Sequence, residues 1–244
     1  MIQDLGSRMK SYEAVSRSVL TPHTHTILRV DGRAFHSYLR HAEKPYDMTF
    51  LANMQAVAKA LCKEVSGTVM AYGQSDEISL LVSDVESQSQ PWFGGVVQKM
   101  ASVAASVATA TLIFKRGTEG LPHFDARVFT IPEDEITNYF IWRQRDAIRN
   151  SISMLAQSRF SHKQLHGVNS WQMKEMLLKE HGVNWDDVPE FAKYGWVVMK
   201  SVREAPVEYT DKRTNEVVSG SAVRTFWEPR PAPDFFVSSL SVDG

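Results

Sequence analysis

Two short acidic segments of the chain carry the residue types that metal chemistry needs. Asp31-Gly32 follows one aliphatic run and Asp76-Glu77 precedes another, so each carboxylate stands where a strand leaves the core. Mg²⁺ prefers oxygen ligands, and two ions about 3.5–4 Å apart need carboxylates that can bridge them. Gly32 adds a position where the backbone can approach an ion or a phosphate closely. The pattern therefore predicts a two-metal site, whereas either segment alone is also typical of an ordinary turn.

The elements that would position these acids follow from the hydrophobic pattern. In chain order, it predicts a strand at 26–30, a helix that ends near Gly67, strands at 69–72 and 78–82, an Ala-rich helix, a strand at 124–131 and a long helix after Pro132. Strand, helix, strand, strand, helix, strand is the split βαβ, ferredoxin-like order (βαββαβ), an antiparallel sheet with helices on one face. In that topology the first strand neighbours the central hairpin, so Asp31 and Asp76 are expected to converge.

The remaining residues are expected to form a C-terminal extension of an α+β protein. Its predicted elements are a helix at 170–181 that ends at Gly182, strands at 196–202 and 222–227, and a hairpin loop at 210–215. The Pro-rich segment 229–233 predicts an extended tail that is mobile or packed on a neighbour. We therefore expect residues 1–135 to form the catalytic domain. Residues 136–244 would form the long helix and a helical and β-hairpin extension packed on that domain.

Composition narrows the functional classes. The chain has 244 residues, 43% of them hydrophobic and 23% charged, as in a globular domain with an appendage. A net charge of −1 argues against an indiscriminate nucleic-acid coat, although 27 Lys and Arg residues are enough for a local basic groove. Cys62 is expected to be a core residue in a reducing compartment. The sequence pattern indicates neither a signal peptide nor a membrane span, so a cytoplasmic location without membrane contact is predicted.

Five segments share their order and spacing with one enzyme family. They are RVDGRAFH at 29–36, Lys44-Pro45, YGQSDEIS at 72–79, FDARV at 124–128 and YFIWRQRD at 139–146. Over roughly residues 2–160, the chain resembles the tRNA-histidine guanylyltransferase family. The resemblance implies a 3′–5′ nucleotide polymerase that acts on the 5′ end of tRNA and has a palm domain similar to that of ordinary polymerases. It also implies two Mg²⁺ ions, ATP and GTP or other nucleoside triphosphates as substrates, and a homotetramer.

The resemblance also assigns roles to individual residues. The ions would be held by Asp31, the carbonyl of Gly32 and Asp76, with Glu77 as a further catalytic carboxylate, either a direct ligand or a support behind the ligands. The implied nucleotide-binding positions are Arg33, Ala34, Phe35, His36, Lys44, Asp47, Ser75, Lys99 and Arg127. The implied RNA-binding positions are Arg143, Arg145, Arg149, Asn150, His162 and Lys163.

Simpler structural explanations exist for several of these positions. Asp47 suits the N-terminus of a helix, Ser75 suits a turn, and His36 suits packing. Lys99 would be equally suitable as a solvated surface lysine. Trp142 lies on the long helix, where an aromatic residue at helical spacing favours a core position over a role in stacking on RNA.

The segment after residue 146 separates the branches of the family. Eukaryotic members that add an untemplated guanosine carry His-Ile-Asn-Asn-Leu-Tyr-Asn there, whereas this chain reads AIRNSISM at 147–154 and, of the polar residues in that motif, keeps only Asn150. The resemblance therefore favours tRNA 5′-end repair by the bacterial and archaeal type of enzyme, in which ATP activates the 5′-phosphate and the 3′-hydroxyl of an incoming nucleotide attacks it. Specificity would then come from Watson–Crick pairing with the template.

Three alternatives stay open at this point. The first is untemplated guanosine addition to tRNA-His. The second is a nucleotide or diguanylate cyclase, which has a similar palm; against it, the sequence carries no Gly-Gly-Asp/Glu-Glu-Phe element. The third is a non-catalytic RNA-binding domain, which would expose aromatic residues on its central strands, where this chain has Asp31 and Asp76.

Overall fold

The computed structural model describes residues 4–85, 90–118, 120–210, 213 and 216–237. The helices are Leu5–Ala14 (α1), Phe35–Tyr38 (α2), Met48–Glu64 (α3), Val97–Arg116 (α4), Glu133–Gln157 (α5), His162–Leu165 (α6), Ser170–His181 (α7) and Glu190–Lys193 (α8). The strands are His25–Gly32 (β1), Thr68–Gln74 (β2), Glu77–Ser83 (β3), Phe124–Ile131 (β4), Trp196–Thr210 (β5) and Val217–Pro231 (β6). Short 3₁₀ turns lie at Trp92–Gly95 and Trp185–Asp187.

The strands form one antiparallel sheet in the order β4-β1-β3-β2-β5-β6. Its first four strands, with α3 and α4 as the connecting helices, reproduce the ferredoxin-like arrangement that the sequence predicted. The C-terminal hairpin does more than pack on this unit, because β5 pairs with β2 along Met70–Gly73 and lengthens the sheet itself.

The alternation of side chains along each strand gives the sheet two buried faces. On one face, α3 and α4 pack against Leu28, Val30, Ile78 and Leu80. On the other face, α5 packs against side chains of the intervening positions, which are Ile27, Met70, Tyr72 and Leu81. The second half of α5 leaves the sheet and packs with α6, α7 and Trp185 in a third apolar cluster. Both central strands are therefore covered on both sides, which fixes the positions of their ends.

Two features near the ends of the chain differ from the sequence prediction, and a third is not tested. Helix α1 was not predicted, because it buries no side chain and so shows no apolar stripe. Strands β5 and β6 are longer than predicted, since their outer halves are exposed and are held by cross-strand hydrogen bonds rather than by a hydrophobic pattern. Most of the hairpin loop predicted at 210–215 lies outside the described residues.

The Pro-rich segment is part of the packed structure rather than a free tail. Pro229 and Pro231 lie in β6, and Ala232 is buried. The Gln144 amide of α5 donates to the Pro233 carbonyl at 2.8 Å, and the Phe235 N–H donates to the Gln144 side-chain oxygen at 3.0 Å. A buried side chain of α5 thus holds this segment, which local sequence could not indicate.

Helix α4 corrects the expectation that no segment has the character of a membrane span. Among the described residues, it is the one helix long and apolar enough to cross a membrane by length and composition. A core helix of a globular protein passes the same two criteria. Here one stripe of α4 is buried against the sheet and α3, and it consists of Met100, Ala104, Ala108 and Leu112.

Gly73 is required by the packing of β2 against β5. It pairs with Trp196, which is 1% exposed, and a β-carbon built at residue 73 would lie 2.2 Å from the indole ring. The ring therefore occupies the space that any larger residue would need. Because Trp196 also lines the cavity described below, this contact links the core to the candidate site.

We expect Gly73→Ala to lower the free energy of unfolding by about 1–3 kcal/mol, because the added β-carbon overpacks the contact with the Trp196 ring. Urea denaturation followed by tryptophan fluorescence measures this loss. Gly220→Ala is the matched control, since it changes a β6 glycine whose added β-carbon would meet nothing within 4 Å. Equal stability changes in the two variants would contradict the packing argument.

Candidate active site

The structure brings the two acidic segments together at one end of the sheet. Asp31 on β1 lies directly across from Glu77 on β3, and the Gly32 N–H donates to the Asp76 carbonyl at 3.1 Å. Asp76 occupies the two-residue turn between β2 and β3, so it stands immediately beside the end of β1. The convergence that the ferredoxin-like order predicted is therefore present in the backbone hydrogen bonds.

The turn residue Ser75 holds the Asp76 carboxylate in place. Ser75 has a left-handed φ of 49°, and its hydroxyl donates to Asp76 Oδ1 at 2.9 Å. Burial raises the pKa of Asp76 above its usual value, and the nearby negative charge of Asp31 acts in the same direction. Two carboxylates that repel each other at a partly buried site form a suitable place for a cation.

Gly32 allows an aromatic ring to pack against the end of β1, next to the acidic turn formed by Ser75 and Asp76. A β-carbon at residue 32 would lie 2.5 Å from the ring of Phe35. Phe35 is 3% exposed and also contacts Phe50 and Phe124, with ring centroids 6.0 and 5.0 Å away. Phe35 therefore contributes an apolar floor to the site rather than a polar contact. Ala34, just before it, adopts a left-handed φ of 56°, an uncommon conformation for a residue with a β-carbon.

A cavity of about 570 Å³ opens beside this turn. Of the residues that the sequence associated with nucleotide, metal or RNA binding, nine line it: Gly32, Ala34, Phe35, His36, Lys44, Asp47, Ser75, Asp76 and Asn150. The cavity volume is in the range of pockets that hold small molecules and cofactors. The loop between β1 and α3 thus forms one wall, the β2–β3 turn the base, and α5 the opposite wall.

Asp47 has a clear structural role in this wall. Its carboxylate accepts from the Phe50 N–H at 2.8 Å and caps the N-terminus of α3. This is the simpler of the two explanations that the sequence offered. The same residue still faces the cavity, so the cap also fixes the loop that carries Lys44.

The α5 wall consists of residues that sequence reasoning did not place individually, apart from Asn150. Ala147, Asn150, Ser151 and Met154 line the cavity at the spacing of one helix face. The Asn150 amide donates to the Gln74 side-chain oxygen at 3.2 Å. The only signal in the sequence was that this segment differs from the eukaryotic motif.

Ser151 is held by three neighbours. Its carbonyl accepts from the Tyr46 hydroxyl at 3.0 Å, and its own hydroxyl accepts from the Trp185 indole N–H at 3.0 Å and donates to the Ile148 carbonyl at 2.8 Å. These contacts connect the cavity wall to the third apolar cluster, which contains Trp185. Burial raises the pKa of Tyr46 to about 12, so this hydroxyl stays protonated and donating at neutral pH.

Three residues expected to bind nucleotide lie outside the cavity wall. Arg33 is exposed at the start of the loop, with its N–H donating to the His123 carbonyl. Lys99 is exposed on α4, with its ammonium 5.1 Å from the centre of the Phe93 ring. Arg127 is exposed on the edge strand β4, 3.9 Å from Asp125. Their expected role would require a ligand that extends beyond the cavity.

Arg143 corrects an expectation about RNA binding. It is 5% exposed, and its guanidinium donates to both oxygens of Glu77 at 2.7 and 2.8 Å and pairs with Asp146 at 2.7 Å. A guanidinium held this way is not available to an RNA. Burial raises the pKa of Glu77, whereas the charges of Arg143 and Arg29 favour its ionised form.

The other expected RNA-binding residues are at the surface. Arg145 lies over the Phe236 ring at 5.1 Å, and Arg149 pairs with Asp146 while 68% of its side chain is exposed. His162 and Lys163 are exposed on α6, outside the cavity wall.

Trp142 is not the core residue that its helical spacing favoured. It is 49% exposed and lies 4.3 Å from the Arg143 guanidinium and 5.8 Å from that of Arg29. The two guanidinium groups cover part of the ring on the α5 side of the sheet. Helical periodicity alone missed this because the buried stripe of α5 passes through Tyr139 and Arg143 instead.

We expect Arg143→Met to lower the free energy of unfolding by about 3–5 kcal/mol, because it leaves the buried Glu77 carboxylate without its partner. The double variant Glu77→Leu/Arg143→Met removes both charges and should recover most of that loss. Urea denaturation measures the free energy of unfolding of the wild type and of each variant.

Arg149→Ala is the control for this comparison, since it removes a largely exposed partner of Asp146 and should change stability by less than about 1 kcal/mol. If Arg143→Met were as mild as this control, the buried pair would not constrain the fold.

Comparison with known proteins identifies the family of this chain. The family model described as Thg1, tRNAHis guanylyltransferase, matches residues 6–132. The structure superposes on that of a bacterial tRNA(His) guanylyltransferase (Thg1)-like protein in complex with ATP, with a TM-score of 0.83, 35% identity and coverage of 96% of this chain and 95% of that chain. The Saccharomyces cerevisiae enzyme gives a TM-score of 0.68 at 26% identity, with coverage of 80% of this chain and 93% of that chain.

One curated relative extends the likeness to the sequence level. The tRNA(His) guanylyltransferase of Debaryomyces hansenii is 31% identical over 203 residues, which are 74% of this chain and 75% of the relative. These matches confirm the resemblance seen in the sequence motifs. The chain therefore belongs to the tRNAHis guanylyltransferase (Thg1) family, whose members are nucleotidyltransferases that add nucleotides to tRNA in the 3′–5′ direction.

Proposed function

We propose that this nucleotidyltransferase repairs the 5′ end of tRNA by template-dependent nucleotide addition. The observation that carries the proposal is the α5 wall of the cavity. This wall is apolar at Ala147 and Met154, the Asn150 amide donates to Gln74, and the Ser151 hydroxyl and carbonyl bond to their own neighbours. The Asn150 side-chain oxygen and Gln157 are then the further polar groups of the wall, a small set for selecting among four bases. Selection would therefore fall mainly to pairing with the opposite strand of the acceptor stem.

Nucleoside triphosphates are the substrates that suit the cavity. Solved structures of the bacterial Thg1-like protein hold ATP in one case and GTP in another. In this chain, Lys44 and His36 line the cavity beside the acidic turn, and their side chains would contact phosphate oxygens. Phe35 and Trp196 would exclude water from the apolar part of the cavity.

The donor set fits a magnesium site of the kind that the family implies. Among the described residues, no group of three or more His, Cys, Asp and Glu side chains is placed to hold a metal. Mg²⁺ is commonly bound by only one or two carboxylates together with water and substrate phosphates. Asp31, the Gly32 carbonyl and Asp76 would supply such a set, all of it oxygen.

Within this proposal, the chain's own residues orient the reacting groups. Bound Mg²⁺ would neutralise phosphate charge and lower the pKa of the attacking 3′-hydroxyl. Ser75 and the Gly32 N–H hold Asp76 in its position, while Glu77 is committed to Arg143 and supports the turn from behind. By family resemblance we also propose a homotetramer located in the cytoplasm, where the tRNA substrate is found.

We expect Asp31→Asn and Asp76→Asn each to reduce 5′-activation and nucleotide addition by at least about 100-fold, since each removes a charged oxygen ligand at the reacting phosphates. Stability should change little. Titration with Mn²⁺ followed by electron paramagnetic resonance gives a readout independent of turnover, and binding should weaken in both variants.

Asp134→Asn is the control, because Asp134 is exposed in the first turn of α5. Wild-type turnover or Mn²⁺ binding in either site variant would refute the two-metal assignment.

Template dependence is tested with 5′-truncated tRNAs that differ only in the base opposite the missing nucleotide. In a competition among the four nucleoside triphosphates, we expect the added nucleotide to follow the templating base. Addition opposite an unpaired position should be slower. If guanosine is added whatever the template, the protein is an untemplated guanylyltransferase and the repair assignment is wrong.

A further inference from the structure

A second cavity, of about 620 Å³, lies at the other end of α3 from the candidate active site. Its walls come from the last turns of α3, the start of β2 and the middle of the β5–β6 hairpin. The N-terminus of α3 lines the first cavity. The α3 residues that line the two cavities are Phe50 and Leu51 at one end and Lys59, Cys62 and Lys63 at the other, about 12–20 Å apart along the helix.

This second cavity is strongly basic, and we refer to it as the basic cleft. Its charged lining residues are Lys59, Lys63, Lys200, Arg203 and Glu228. Arg203 pairs with Glu228 at 3.3 Å. Among the described residues, the ammonium groups of Lys59, Lys63 and Lys200 have no carboxylate within ion-pair distance. In a chain of net charge −1, this is a local concentration of positive charge.

The position of α3 explains only part of this charge. Lysines in the last turn of a helix offset the partial negative charge of its C-terminus, which accounts for Lys63. It does not account for Lys200 and Arg203, which come from β5 and reach the same cavity from the other side. Two elements that are far apart in sequence therefore contribute cations to one concave surface.

The aromatic residues of the basic cleft point to phosphates rather than bases as the ligand. Lys200 lies 5.5 Å from the centre of the Trp227 ring, and Arg203 lies 4.4 Å from that of Phe226. Each ring thus already contacts a basic side chain of the protein, and Trp227 also packs against the core. Neither ring is placed as a free stacking platform for a nucleobase.

We infer that the basic cleft binds the phosphate backbone of the tRNA substrate, away from its 5′ end. The inference rests on the proposed function in that the polyanion is a tRNA. A duplex arm whose end occupies the first cavity and which runs along α3 needs to extend only about 12–20 Å to bring its backbone to the second cavity. The same arm can therefore reach both cavities along α3. Ammonium groups suit this role because they bind phosphate as point charges without reading sequence.

The test compares tRNA binding by the wild type and by Lys63→Ala/Lys200→Ala, using fluorescence anisotropy at several salt concentrations. We expect the Kd for tRNA to rise by about tenfold at low salt. The plot of log K against log salt should become less steep by about two, because each phosphate contact accounts for the release of about 0.9 counterion and two contacts are lost. Lys63→Arg/Lys200→Arg should retain binding.

The control variant is Lys10→Ala/Lys179→Ala, which removes the same charge from exposed positions on α1 and α7. Equal Kd values and slopes in the test and control variants would overturn the inference. So would a loss of affinity for ATP or GTP alone, measured by equilibrium dialysis, with tRNA binding unchanged, because the cleft would then be a nucleotide site.

These outcomes are separate from those of the repair assay. The binding measurement needs no nucleotide addition. Untemplated addition would therefore refute the repair proposal and leave the proposed tRNA-binding role of the basic cleft unaffected. Conversely, if addition is templated but the cleft variants bind tRNA normally, only the role of the cleft is refuted.

Discussion

The buried pair of Glu77 and Arg143 is the constraint on which the site depends. Glu77 begins β3 directly after the acidic turn, and Arg143 lies in the middle of α5. Their two hydrogen bonds of 2.7 and 2.8 Å join the strand that carries Asp76 to the helix that forms the opposite cavity wall. Because both partners are nearly fully buried, separating them would leave a charge without water or a partner. The width of the cavity is therefore linked to the position of the turn.

This pair also gives the carboxylates at the end of the sheet different roles. Glu77 is neutralised by Arg143, and burial and the charge of Asp31 raise the pKa of Asp76. Asp31 and Asp76, by contrast, form no ion pair with a basic side chain in the part of the chain that the structure describes. A cation and phosphates would complete the electrostatic balance there, which is why we assign Glu77 to support and the two aspartates to ligation.

Much of the secondary structure could be predicted from local patterns. The strand at Phe124–Ile131, the helix after Pro132 and the helix Ser170–His181 with its left-handed Gly182 were all predicted at their observed bounds or nearly so. Hydrophobic periodicity and cap residues are local, so they survive in one sequence. Arg143 and Trp142 were interpreted wrongly, since what surrounds each of them on α5 is decided by β1 and β3, which lie more than sixty residues away along the chain.

The sequence by itself determined the order of the elements, and hence the convergence of Asp31 with Asp76, because chain order and strand pairing follow from which segments must bury their apolar faces. It also determined the family, through motifs whose spacing is visible without a fold. Only the tertiary structure decided which charges are free. The commitment of Arg143 to Glu77, the saturation of Ser151 by Tyr46 and Trp185, and the meeting of Lys63 with Lys200 in one cleft join residues that are 34 to 137 positions apart. Such contacts depend on the packing of whole elements, which no local pattern of residues records.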